Sequence, residues 1–150
     1  MQLSEHFTLE ELIKSETADR WGIDNTPNTQ QITNLKLVCI NILEPVRKFF
    51  GVPIKPSSGF RCLEVNTKIN GSKTSSHLMA QAVDFEIAGI SNYVLATWIA
   101  ENLEFDQVIL ECYTKGQPNS GWVHVGYKRN GNRNSILTYS NKEYTKGLFE

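Results

Sequence analysis

The sequence predicts an α+β fold, a small antiparallel sheet with helices packed on it, and three patterns carry that prediction. Residues 32 to 50 place apolar side chains in a three-four rhythm, as a helix with one buried face requires. Residues 82 to 87 alternate between two faces, as a half-buried strand does. Two further strand-like runs, 107 to 113 and 122 to 127, flank a loop holding Gly116, Pro118, Asn119 and Gly121. That arrangement predicts an antiparallel hairpin with a long loop.

The elements follow in order. Thr8 with Glu11 three places on forms a capping box, so a first helix should run from about Leu9 to Ser15. The turn-rich stretch Asp24 to Asn28 comes next, and Thr29 reads as the cap of the long helix. Its apolar face is Ile32, Leu35, Val38, Cys39, Ile42, Leu43, Val46, Phe49 and Phe50. Pro45 lies inside that pattern and predicts a kink, and Gly51 ends the helix. Pro53 and Pro56 keep residues 52 to 58 extended. A short helix over Leu63 to Ile69 and an Asn70-Gly71 turn follow. The 82–87 strand puts Val83, Phe85 and Ile87 on one face and Ala82, Asp84 and Glu86 on the other. Tyr93 to Asn102 reads as a helix, and the tail through Ile136, Leu137, Tyr139 and Tyr144 as one edge strand.

With 150 residues the chain can bury one sizeable core, and it reads as one domain over 1–150 without repeats or linkers. A net charge of −1 offers no general attraction to a nucleic-acid backbone or an anionic membrane. Lys128, Arg129 and Arg133 are interleaved with Asn and Gly, which reads as a solvated turn. Cys39, Cys62 and Cys112 have no CxxC spacing and propose neither a disulfide framework nor a thiolate site. Cys39 and Cys112 lie in apolar stretches and are expected to be buried, in a reducing compartment. No segment approaches the roughly 20 apolar residues of a membrane span. The start, Met-Gln-Leu-Ser-Glu-His-Phe, lacks the basic and apolar regions of a secretory signal. The expectation is cytoplasmic synthesis of a monomer, with neither nucleic acid nor membrane as partner.

Two stretches carry chemistry. Ser75 to Ile87 holds His77 and Asp84, and Gly121 to Tyr127 holds His124; the whole chain has three histidines. Two imidazoles and one carboxylate suit Zn2+ with three protein ligands, leaving a fourth position for water, as catalytic rather than structural zinc sites do. A single strand histidine is more often hydrogen-bonded scaffolding, so the neighbours matter. Those neighbours are Ser57-Ser58-Gly59-Phe60-Arg61, Asn66, Gly71-Ser72-Lys73-Thr74-Ser75-Ser76-His77, Ala82, Asp84 and Trp122-Val123-His124. Together they resemble the zinc D-alanyl-D-alanine peptidase family, which includes bacterial carboxypeptidases and phage endolysins and shares its fold with the hedgehog signalling domain. The opening His6 to Leu12 and the Ile23 to Pro27 turn are similar to the small phage-encoded members.

The resemblance implies a hedgehog-like fold with His77, Asp84 and His124 as metal ligands. It matches Ser75 to the serine two places before the first ligand, and Arg61 to an arginine that contacts a substrate carboxylate or carbonyl. A guanidinium fork suits the carboxylate-rich stem peptides of peptidoglycan. The competing role for Arg61 is a structural pair with an acid such as Glu64 or Glu86. Two positions depart from the family pattern. Ala80 stands where a glycine is usual, which matters if the residue needs positive φ. Gly121 stands where many members carry an acid three places before the last histidine.

A zinc peptidase needs a carboxylate to move a proton from water to the leaving amine. Glu111, on the strand expected to pair with that of His124, is the candidate, with Glu86 and Asp106 in reserve. The competing reading leaves Glu111 facing solvent at a strand end. Trp122 and Tyr127 either line a substrate groove or pack. The implied activity is a zinc-dependent peptidase cutting peptidoglycan stem peptides, as a carboxypeptidase or an endolysin-type endopeptidase. Such a protein would act on the wall after release, or as part of a phage particle. The alternatives are a non-catalytic zinc module for wall recognition or phage structure, and a metal-free domain.

Overall fold

The computed structural model describes residues 1–150. Two short helices open the chain, α1 (Leu9–Ile13) and α2 (Glu16–Trp21). The Thr8 capping box forms as expected: Glu11 N–H donates to Thr8 Oγ1, and the Glu11 carboxylate accepts from Thr8 N–H at 2.8 Å. The first helix stops at Ile13 because Ser15 caps the next one, its Oγ accepting from Ala18 N–H at 3.1 Å. Helix α2 was not expected; it is a six-residue helix with one buried side chain, Ala18, too little for a periodic signal.

Helix α3 (Thr29–Val38) begins one residue earlier than Thr29 suggested. Asn28 is the cap, exchanging hydrogen bonds with Gln31 at 2.8 Å in both directions. The kink expected at Pro45 takes the form of a π segment, Cys39–Leu43, leading into α4 (Glu44–Phe50). Glu44 N–H bonds back to Cys39 O, five residues away, so the widened turn sits immediately before the ring that cannot donate. Gly51 closes the run in the left-handed region. Phe49 departs from the expected buried face; it is exposed and stacks on Trp98 at 4.7 Å.

Helix α5 (Leu63–Lys68), a 3-10 turn (Ser76–Met79) and helix α6 (Asn92–Asn102) complete the helical part. The strands are β1 (Ala82–Phe85), β2 (Gln107–Glu111), β3 (Trp122–Gly126), β4 (Ser135–Ser140) and β5 (Glu143–Lys146). They form one sheet in the order β1-β3-β2-β4-β5. β2 and β3 pair as the expected antiparallel hairpin, and β1 and β3 are also antiparallel. The β2–β4 ladder is parallel, so the sheet is mixed rather than purely antiparallel. The tail supplies two strands instead of one, because Asn141 and Lys142 adopt positive φ and turn the chain back on itself.

Register divides the sheet into two faces. Val83, Val125 and Val108 pair across β1, β3 and β2, as do Phe85, Val123 and Leu110; all six are buried against the long helix and α6. The opposite face carries Asp84, His124 and Ile109 in one row, and Trp122, Glu111, Tyr139 and Tyr144 in the next. Cys39 lies in the core, where burial, then the charges of Glu44 and Glu11, push its thiol up to about 12. Cys112, expected in the core, is instead exposed: β2 ends at Glu111 and Cys112 turns away at φ 58°.

Candidate metal centre

His77, Asp84 and His124 come together on the polar face. Asp84 and His124 are direct partners across the β1–β3 ladder, and His77 enters from the 3-10 turn before β1. Asp84 Oδ1 lies 2.9 Å from His124 Nδ1 and 3.3 Å from His77 Nε2. One ligand atom from each residue falls within 4.8 Å of the others.

His77 is oriented from behind. Its Nδ1 sits 2.6 Å from Gly59 O, a contact that places the proton on Nδ1 and leaves the Nε2 lone pair facing Asp84. Burial lowers the His77 pKa against the pull of Asp84, which favours the neutral, ligating form. Burial alone would raise Asp84, but the adjoining imidazoles, His124 first and then His77, hold its carboxyl well below the usual range. A neutral imidazole, a carboxylate and a second imidazole gathered around one point form a donor set that fits a divalent zinc ion.

The framework behind these residues is the opening of the chain. Phe60 N–H donates to Leu12 O at 2.8 Å, and Asn25 bridges Ile13 O, Phe60 O and Cys62 N–H. A side chain at Gly59 would put its Cβ 2.3 Å from Leu12 O, so the close approach of α1 to this segment demands glycine. Asn66, also buried, donates to Ser72 O at 3.0 Å and tethers the loop that carries Ser75. Ser75 Oγ accepts from His77 N–H at 3.2 Å and from Arg61 Nη2 at 3.3 Å. Arg61 thus reaches Ser75 rather than Glu64 or Glu86, and its buried Nε has no protein partner.

A cleft of about 370 Å³ lies over this group, lined by Arg61, Ser75, His77, Asp84, His124, Glu111 and Trp122 among others. Glu111 faces the cleft rather than open solvent. Its Oε2 accepts from Trp122 Nε1 at 3.0 Å. Burial pushes its carboxyl up; the neighbouring Asp84 adds to the rise, while His124, Trp122 and Arg61 oppose it. The reserve acids stand elsewhere: Glu86 is exposed and accepts from Asn92, and Asp106 is held by Arg133 through two side-chain contacts of 2.8 and 3.1 Å. Tyr127 packs against the core and does not line the cleft. His6 belongs to a separate tether, its Nδ1 2.7 Å from Glu44 Oε1.

The cleft also takes in Gln107, Ser76, Arg133 and Tyr144, to which the sequence assigns no role in the site. Ser76 Oγ lies 3.5 Å from His124 Nε2. The alternation of the tail was the available signal for Tyr144, but the pairing that brings it beside Glu111 is long-range.

The glycine departure at 121 has a steric cause. Gly121 has φ 67°, and a Cβ there would stand 1.9 Å from Glu111 O. An acid at this position has no room while β2 and β3 keep their register.

Sheet, ligand set and cleft together are those of a metallopeptidase. The chain matches the family described as Peptidase M15 over residues 5–126, and it belongs to that family. It is a hydrolase of a zinc-binding family whose substrates are peptides of the peptidoglycan type. No curated protein matches the chain.

Proposed function

We propose that this protein is a zinc-dependent peptidase that cleaves the stem peptides of peptidoglycan. The observation that carries the reading is the convergence of His77 Nε2, Asp84 Oδ1 and His124 Nδ1 beneath a cleft that also holds the Glu111 carboxylate. His77, Asp84 and His124 are the residues that would hold the metal. Zinc bound there supplies Lewis acidity toward the scissile carbonyl and toward water.

The remaining work falls to the chain's own side chains. Glu111 is the general base, taking a proton from water on its carboxylate and passing it to the leaving amine. Trp122 Nε1 fixes the orientation of that carboxylate by donating to Oε2, which leaves Oε1 without a protein hydrogen bond. Burial raises the Glu111 pKa above the ordinary carboxyl value, the direction that makes the carboxylate a better proton acceptor. Arg61 orients the substrate: Nη2 rests on Ser75 Oγ, and the guanidinium lines the cleft, where it meets a carboxylate or carbonyl of the peptide.

The physiological setting follows as part of the proposal. The protein is a phage-derived monomer that meets the wall after release from the cell or as part of a particle. The bond cut is either the terminal D-Ala-D-Ala bond or an internal one. Peptide release from purified peptidoglycan, measured for the zinc-loaded protein beside Glu111→Gln, tests the reading. Cleavage that vanishes in the variant while zinc is retained supports both the activity and the base, and the fragment masses identify the bond. If both proteins hold zinc and neither cleaves, the non-catalytic zinc module becomes the better reading, as the missing acid at Gly121 suggests.

A further inference from the structure

One wall of the cleft lies beyond the residues matched to the family. That match ends at residue 126, whereas β4 and β5 span Ser135–Ser140 and Glu143–Lys146. The two strands continue the row that contains Glu111. Trp122 pairs with Glu111, Glu111 with Tyr139, and Tyr139 with Tyr144, so all four side chains rise from the same face of the sheet. The Tyr139 and Tyr144 rings lie 4.5 Å apart. Tyr139 is half-buried, while Tyr144 is 59% exposed and lines the cleft.

Strand β5 is exposed along its whole length, so the ladder to β4 holds it in place and no core side chain of its own does. A large aromatic ring on such an edge strand, turned into a cleft and backed by a second ring, contributes little to the core. Its geometry suits contact with a ligand, since tyrosine offers flat area with few rotatable bonds and a polar tip. Burial, then the charges of Glu111 and Tyr139, push the phenol up, so it remains protonated and able to donate.

We propose that Tyr144 is a substrate-binding residue, its ring packing on the stem peptide beside Glu111 and its hydroxyl hydrogen-bonding the peptide. The C-terminal ribbon thereby adds to this chain a binding wall that the matched family region does not contain. This inference rests on the peptidase reading above. It predicts that recognition of the peptide depends on residues contributed by both the matched region and the ribbon.

The test uses the full-length, zinc-loaded protein and a synthetic stem pentapeptide ending in D-Ala-D-Ala. Tyr144→Ala should raise KM about tenfold, with the loss falling on KM more than on kcat. In a Glu111→Gln background, calorimetric titration should show the same weakening of Kd, and zinc content should not change. Tyr144→Phe keeps the ring and should raise KM about threefold through the lost hydroxyl. That variant decides the matter if Tyr144→Ala disturbs the ribbon. Unchanged KM and Kd in both variants would overturn the role of Tyr144 and leave the peptidase reading intact. Failure of the unmutated protein to bind or cleave the peptide would remove both.

Discussion

Placing an acid at Gly121, where many family members have one, should damage this protein rather than improve it. The simplest perturbation is Gly121→Ala, which adds only the Cβ. At φ 67° that atom would stand 1.9 Å from Glu111 O, 2.7 Å from Cys112 C and 2.8 Å from Cys112 O, all backbone atoms that cannot swing aside. Left-handed backbone costs an L-residue roughly 1–2 kcal/mol. Forcing extra volume into a packed site costs about 1–3 kcal/mol more. The sum is about 2–5 kcal/mol, or a fall in Tm of roughly 10 °C for a domain of this size. Gly121→Asp should lose at least as much. The displaced carbonyl belongs to Glu111 itself, so activity should fall further than the lost stability explains. Thermal unfolding by circular dichroism, with peptide release measured well below Tm, checks both parts. A Gly121→Asp protein as stable as the parent and equally active would refute the steric account of the missing acid.

Four further outcomes are expected. Glu111→Gln should lower turnover about 10²–10⁴-fold with zinc retained, as metal analysis beside a peptide-release assay will show. His77→Ala should lose zinc, and chelating the parent should abolish cleavage and lower Tm by removing the ligand-linked stabilisation. Ala80 has φ 59° and is fully buried. In Ala80→Gly, relief of about 1–2 kcal/mol of backbone strain is offset by losses of similar total size from methyl burial and chain entropy. Its Tm should stay within roughly 2 °C of the parent, whereas Ala80→Val should fall by more than that; a large gain for Ala80→Gly would show that the strain is unrelieved. Asp106→Asn should cost about 2 kcal/mol at neutral pH by leaving Arg133 without its charged partner. Burial alone would raise Asp106, but the Arg133 contacts and the Lys128 charge lower it below 3.8. The folded pKa is therefore depressed: the stabilisation is complete above about 3.8 and is lost as pH falls through the folded value. Parent and variant should accordingly converge in stability in acid, and a gap that stays constant down to pH 2 would reject the ion pair as its source.

The parts of the fold legible in the sequence are those governed by local periodicity. The Thr8 capping box, the long helix and the strands around Asp84 and His124 depend on spacing within a few residues. Strand alternation tells which face Asp84 takes, whereas the ligand roles of Asp84 and His124 rest on the resemblance of the motifs around them. The parallel pairing of β2 with β4 left no local trace, since nothing in 135–140 states which neighbour the strand will choose. That one missing contact hid the position of Tyr144. The π segment was visible only as a proline out of place, because the helix meets Pro45 with a widened turn. Cys112 was misplaced for a related reason: the apolar run Val108-Ile109-Leu110 continues the strand pattern, while the reversal at φ 58° is a backbone property. The steric veto at Gly121 depends on a carbonyl ten residues earlier in the chain, and only the folded hairpin brings the two together.

The alternation of β3 has a consequence for how errors in the site are avoided. Val123 and Val125 are core residues, and His124 lies between them on the opposite face. A slip of one residue would send His124 into the apolar layer and two valines into the cleft, at a cost of several buried methyl groups and one buried imidazole. The hydrophobic layer therefore proofreads the metal site. A chain cannot bury these valines correctly and present His124 wrongly, so the placing of this ligand needs no guidance from the metal.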